Sequence, residues 1–188
     1  MPSLDHFDLL APLYETFIRP RDPVHLRELL SPGDGLLLDA GGGTGRIAQF
    51  MRDVAPAVIV TDLSFKMLRQ TAAKDKLRPV CARAETLPFP NASFTRVMMV
   101  DALHHVHHQA QTASELWRVL RPGGRLVIEE PDLRLPGVKL LALAEKLALM
   151  RSHFMAPPQI AALFTAMGAH TRIEAVASTA WIIIDKPR

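Results

Sequence analysis

Leu36-Leu-Leu-Asp-Ala-Gly-Gly-Gly-Thr-Gly-Arg46 is the stretch on which the reading of this chain turns. An apolar run closes on Asp39, and Gly41, Gly42, Gly43 and Gly45 follow before apolar periodicity resumes. The pattern predicts a buried strand, a tight turn and a helix start. In an open α/β sheet that is where backbone N–H groups converge on a ligand. Glycine suits such a turn because a Cβ would block it or hold the ligand away. Gly41, Gly43 and Gly45 alternate, giving D-x-G-x-G-x-G, whereas a dinucleotide-binding G-x-G-x-x-G would need glycine where Arg46 stands.

Working outward, Ile47, Phe50, Met51 and Val54 have helical spacing. Residues 57–61 read as a second strand ending at Asp62, and Ser64 is placed to cap a helix bearing Phe65, Leu68 and Ala72. Strands are predicted over 79–82, 97–100 and 126–128, with a helix through Ala113, Leu116, Trp117 and Leu120 closed by Arg121-Pro-Gly-Gly124. Alternating strands and helices imply parallel pairing in an α/β, doubly wound, Rossmann-like sheet. A helix carrying Ile160, Leu163, Phe164 and Met167 should stop at Gly168. The apolar runs 171–176 and 180–184 follow, too close together for a parallel crossover, so they form an antiparallel hairpin. The expected product is a mostly parallel seven-stranded sheet with an antiparallel last strand.

With 188 residues the chain is expected to be one domain. Its parts are an N-terminal helical cap over 1–32, a core over 33–131, a helical insertion over 132–156, and a C-terminal helix and hairpin over 157–188. Hydrophobic residues at 48% and charged residues at 22% describe a globular protein. No apolar run is long enough to span a bilayer, and the opening residues lack a basic leader. One cysteine, Cys81, excludes an internal disulfide framework, and together these features lead us to expect a cytoplasmic protein. The net charge is +3 with no basic stripe, so a nucleic-acid partner is not expected.

The D-x-G-x-G-x-G loop and the terminal hairpin together resemble class I S-adenosylmethionine-dependent methyltransferases. The resemblance narrows over half the chain. Ala84-Glu85-Thr-Leu-Pro-Phe89 with Ser93-Phe94, Leu103-His-His-Val106 and Glu115-Leu-Trp-Arg-Val-Leu-Arg-Pro-Gly-Gly124 are similar to segments of the ubiquinone/menaquinone-biosynthesis type C-methyltransferases. The resemblance implies S-adenosyl-L-methionine as cofactor and S-adenosyl-L-homocysteine as product. It implies cofactor contacts from Asp39, Gly41, Gly42, Gly43, Gly45, Asp62, Leu63, Ala84, Glu85, Asp101 and Leu103. Asp62 would take the ribose hydroxyls, Ala84 and Glu85 would flank the adenine, and Asp101 and Leu103 would lie beside the ribose and methionine part. The segment Phe7-Asp-Leu-Leu-Ala-Pro-Leu-Tyr-Glu15 matches one whose aromatic hydroxyl, here that of Tyr14, closes over the cofactor. Asp39 would mainly fix the loop by accepting backbone N–H bonds. Arg83 departs from the pattern, standing where an acid usually reaches the adenine amino group.

A sulfonium methyl is already activated, so in-line geometry is the main requirement, and no nucleophilic side chain is needed. In His104-His-Val-His-His108 the resemblance implies that His104 or His105 lies at the mouth of the cofactor pocket, where either is a candidate base toward an acceptor hydroxyl or carbon. Packing alone is the competing account of these histidines. No cysteine or nearby acid completes a metal set, so no metal is expected. A helix carrying Leu140, Leu143, Ala144 and Leu147 is read as packing on the sheet, lining an acceptor pocket or forming a homodimer contact. The expected activity is methyl transfer to carbon or oxygen of a small apolar or aromatic molecule. A non-catalytic cofactor- or partner-binding module and a nicotinamide-dependent oxidoreductase remain as alternatives.

Overall fold

The computed structural model of the chain describes residues 23–139 and 153–188. Tyr14, the cap before Pro23 and Leu140, Leu143, Ala144 and Leu147 of the expected insertion lie outside the described residues. The elements are α1 (Pro23–Leu30), β1 (Leu37–Ala40), a 3-10 turn (Ala48–Met51), β2 (Val58–Asp62), α2 (Phe65–Ala72), β3 (Leu77–Cys81) and β4 (Phe94–Val100). After a second 3-10 turn (Leu103–His105) come α3 (Gln109–Val119), β5 (Leu120–Pro131), α4 (Pro157–Thr165), β6 (His170–Val176) and β7 (Thr179–Asp185).

The strands form one seven-stranded sheet in the order β3-β2-β1-β4-β5-β7-β6. β1 pairs in parallel with both β2 and β4, and β7 runs antiparallel to both β5 and β6. The chain leaves β1 toward β3 and returns to β4 on the other side, so a crevice opens beyond the carboxyl ends of β1 and β4. Ligands of doubly wound sheets bind at such switch points. This is the class I methyltransferase topology expected from the sequence.

Burial explains why the strands read as continuous apolar runs. Leu37 and Leu38 of β1 are both fully buried but belong to two different cores, one on each face of the sheet. Leu116, Val119, Ile160 and Phe164 of α3 and α4 cover one face. Leu26, Leu30, Met51 and Leu68 cover the other. Such double coverage removes the polar alternation of a one-sided sheet.

Several local expectations change. The segment after Arg46 forms a 3-10 turn in place of an α-helix: Phe50 N donates to Ile47 O and Val54 N to Met51 O, both three residues back. Ile47, Met51 and Val54 are buried as their spacing predicts, but the tighter winding turns Phe50 outward. Ser64 caps α2 by accepting from Met67 N, as expected; Phe65, however, is 67% exposed, and Met67, Leu68 and Thr71 form the buried face. Residues 121–124, read as a helix terminator, begin the long β5, and the register against β4 shifts between Phe94 and Arg96. Trp117 sits at the margin of the core, with Lys186 Nζ 4.6 Å from its ring centre. The helix expected to run through Met167 to Gly168 stops at Thr165, with Ala166 as its C-cap, and Gly168, at φ +89°, lies in the turn that follows.

Candidate functional site

A cavity of about 290 Å³ occupies the switch-point crevice. Its walls come from three places. Asp39 to Gly43 and Arg46 follow β1, Asp62 and Leu63 end β2, and Asp101, Ala102 and His105 follow β4. Ala84 and Glu85 close one side. Nine of the expected cofactor contacts thus meet at one place: Asp39, Gly41, Gly42, Gly43, Asp62, Leu63, Ala84, Glu85 and Asp101.

The loop cannot carry side chains. A Cβ on Gly42 would overlap the Asp39 carboxylate, and Gly43 has φ +55° with Met67 Sδ 3.1 Å from where its Cβ would stand. Gly43 N donates to Asp62 Oδ2 at 3.0 Å, and Ser64 N donates to Asp62 Oδ1 at 2.7 Å. Asp62 therefore ties the glycine loop to the end of β2 while still facing the cavity. Gly45 packs against Leu77 and Thr71, away from the cavity wall.

Asp39 departs from its expected role. Its side chain is buried, and neither carboxylate oxygen has a hydrogen-bond partner among the described residues. It does not fix the loop by accepting N–H bonds. Burial pushes its carboxyl up to about 7; Arg46 opposes that rise and the Asp62 charge adds to it. A buried, unpartnered carboxylate at a cavity wall is a place for a cationic ligand group. The Gly42 and Gly43 cradle and the Asp62 carboxylate suit the amino-acid and ribose parts of an adenosyl amino acid, so the residues present fit the expected cofactor.

Leu103 lies in the hydrophobic core at 1% exposure, and Ala102 lines the cavity in its place. Here the β4 end turns sharply, with Asp101 at φ +48°, so the following residue points to the cavity and the next one inward. Arg83 stands beside the Glu85 carboxylate, Nε to Oε2 3.7 Å, with most of its length in solvent. Gln111 Nε2 donates to Glu85 O at 3.0 Å, which fixes the Ala84–Glu85 turn from α3.

The histidines separate into two roles. His105 lines the cavity; burial, then the neighbouring His104 charge, push it down to about 3, so its imidazole is neutral at pH 7. His104 is buried, stacks on Phe154 at 4.4 Å between ring centres, and holds Glu130 Oε2 through Nδ1 at 2.5 Å. A carboxylate only accepts, so Nδ1 of His104 donates. Glu130 Oε1 also accepts from Ala102 N at 3.2 Å and Leu103 N at 2.8 Å. His104 is thus part of the scaffold of the loop, and His105 is the residue presented to the cavity. Among the described residues no group of three or more metal-ligating side chains assembles.

Sequence reasoning passed over Arg46 and Glu130. Arg46 is 7% exposed, and its Nη2 lies 3.3 Å from Asp101 Oδ2. Glu130 follows the apolar run of β5 just as Asp62 follows that of β2, so the signal that found Asp62 was also there for Glu130.

Comparison with known proteins agrees with this geometry. Residues 38–128 match the family model described as a methyltransferase domain. The ubiquinone/menaquinone biosynthesis C-methyltransferase UbiE of Stutzerimonas stutzeri (strain A1501) is 39% identical over 106 residues, which cover 50% of this chain and 41% of that protein. The matched stretch thus spans less than half the length of that relative. A SAM-dependent methyltransferase from Thermotoga maritima superposes with a TM-score of 0.76 at 19% identity, covering 96% of this chain and 98% of that one. Phosphoethanolamine N-methyltransferase 2 of Haemonchus contortus, in complex with S-adenosyl-L-methionine, does so with a TM-score of 0.81 at 17% identity, covering 96% and 57%. At these identities the two structures establish the fold. With the sequence match they carry one conclusion: residues 38–128 of this chain are similar to a methyltransferase domain, and the chain has the class I fold.

Proposed function

We propose that this chain is an S-adenosylmethionine-dependent methyltransferase whose acceptor is a small aromatic molecule bearing a hydroxyl, methylated at ring carbon or at oxygen. The observation that carries the reading is the cavity at the β1/β4 crevice, bounded by the glycine cradle, Asp62, Ala84–Glu85 and Asp101. The quinone-pathway relatives, named as C-methyltransferases, favour carbon as the methylated atom and a quinol-type ring as the acceptor.

When bound, the cofactor supplies a methyl already activated on a sulfonium, so the protein's contribution is alignment and exclusion of water. Gly42 and Gly43 let backbone approach the ligand. Asp62 holds the ribose hydroxyls with lone pairs left over from its bonds to Gly43 N and Ser64 N. Ala84 and Glu85 flank the adenine, their turn pinned by Gln111. His105 faces the acceptor. Because its imidazole is neutral at pH 7 and holds a proton weakly, it accepts a hydrogen bond from the acceptor hydroxyl and orients it, and the proton goes on to solvent.

A thermal melt tests cofactor class first. S-adenosyl-L-homocysteine at a hundred times its Kd stabilises a single site by about 2.7 kcal/mol. That corresponds to a rise in Tm of about 5–10 °C for a chain of this size, while NAD should give none. Incubation with methyl-labelled cofactor and a panel of hydroxylated aromatics should then move label into an organic-soluble product. A melt that responds to NAD and ignores S-adenosyl-L-homocysteine would reject the proposal.

A further inference from the structure

The two edges of the sheet are built differently. β3, at one edge, has Pro79 at its centre beside Arg78, and the chain enters it from Lys76 at φ +61°. Proline and positive charge are ordinary means of keeping an edge from pairing. β6, at the other edge, is His170-Thr-Arg-Ile-Glu-Ala-Val176, free of proline and glycine and in unbroken register with β7. Among the described residues no further strand pairs with it. Its outward backbone donors and acceptors are a template for another strand. The side chains say which strand. Arg172 and Glu174 lie on one face, at 50% and 37% exposure, with Arg172 Nε 3.2 Å from Glu174 Oε1. His25 of α1 stands 3.3 Å from Glu174 Oε2 on the same face. Ile173, between them, packs against the core on the other face. A guarded edge carries one sign of charge, whereas β6 carries both, in an order that an antiparallel copy of itself complements.

We propose that β6 pairs antiparallel with β6 of a second copy of this chain, about a two-fold axis at Ile173, so that two seven-stranded sheets become one. In that register Arg172 comes opposite Glu174 of the partner subunit, and Glu174 opposite Arg172 of the partner subunit. Ile173 meets Ile173 of the partner subunit and extends the apolar face. Opposite charges set directly across a strand pair attract, and like charges repel. A slip of two residues either way would bring Arg172 or Glu174 opposite itself, and a slip of one would turn the side chains to the wrong face, so charge and burial select one register. Each copy presents the same patch to the other, as a two-fold interface requires. β5 and β7 separate β6 from β4, so the pairing leaves the cavity uncovered and is independent of the activity proposed above.

The test is a charge-reversal experiment read by sedimentation velocity over a range of concentrations. The parent should pass from monomer to dimer as concentration rises. R172E and E174R each set like charges opposite one another at both pairs, and each should weaken the dimer by about tenfold or more. Mixed in equal amounts, the two variants restore opposite charges at both pairs, so a heterodimer should form as readily as the parent's dimer. A parent that stays monomeric throughout overturns the proposal. So does a dimer indifferent to both reversals, or a mixture that fails to recover association. Circular dichroism checks that each variant folds. Should either not fold, hydrogen exchange of the parent replaces it: amides of residues 170–176 should exchange more slowly in the concentrated dimer than in the dilute monomer, while those of β3 stay unchanged. Protection that grows elsewhere but not in β6 overturns the proposal.

Discussion

Gly43 shows how much of this site is decided at single residues. Its φ of +55° lies in the left-handed region, and Met67 Sδ and Asp62 Oδ2 already flank the space a Cβ would enter. Gly43→Val should therefore abolish binding of S-adenosyl-L-homocysteine, measured by calorimetry, even where the fold persists by circular dichroism. Asp62 makes a graded prediction. Asp62→Ala removes charge-assisted bonds to the ribose and should weaken binding by about 1–3 kcal/mol; affinity equal to the parent would reject the ribose placement. His105→Ala should leave affinity for S-adenosyl-L-homocysteine unchanged and lower kcat by about 100-fold, the lower end of what a positioned acid–base group contributes. A loss of affinity with kcat intact would assign His105 to the cofactor instead.

At the scale of elements, the junction between β4 and α3 depends on a residue from β5. Glu130 collects Ala102 N, Leu103 N and His104 Nδ1, and so fixes the turn that carries Asp101 and His105 into the cavity. Glu130→Ala would leave three buried donors without their acceptor. The expected cost is about 3–5 kcal/mol of stability, read from the midpoint and slope of urea unfolding. A change below 1 kcal/mol would mean that the turn holds itself. On the other side of the site, Gln111 of α3 pins the Ala84–Glu85 turn. Two elements with no cavity-lining apolar face of their own thus set the geometry of both walls.

For the whole molecule, two buried groups make opposite demands on pH. Asp39 is pushed up to about 7 in the folded chain from an ordinary value of 3.8. The folded chain therefore holds a proton that the unfolded chain releases, and the stability linked to Asp39 falls as pH rises from about 4 to 7. His105 is pushed down to about 3 from 6.5, so the unfolded chain takes up a proton that the folded chain refuses. Its contribution is present above about 6.5 and is lost as pH falls toward 3. The two slopes oppose each other over much of the acid range. Asp39→Asn removes the first, so its urea midpoint should climb from pH 4.5 to 6.5 more steeply than the parent's, about ±0.3 pH units in each setting. Parallel curves would show that Asp39 is not the buried acid described.

The sequence alone determined the order of elements, the two-sided burial of the central strands and the antiparallel close. These follow from local rules: apolar runs, turn residues, and a connection too short to cross over. It also located the glycine loop and Asp62, because a loop that must admit a ligand's backbone contacts announces itself by composition. What it misjudged depended on distant partners. The helix after Arg46 became a 3-10 turn, Phe65 faced outward, and residues 121–124 joined β5. Leu103 and His104 turned into the interior and left Ala102 and His105 at the cavity, because Glu130, 26 residues from His104, draws that turn inward. Asp39 likewise reads as a loop anchor until the fold buries it with no hydrogen-bond donor among the described residues. Periodicity and spacing report on neighbours along the chain, and they suffice for elements. The direction in which a polar side chain turns is set by which charges the sheet brings beside it, and only the tertiary structure decides that.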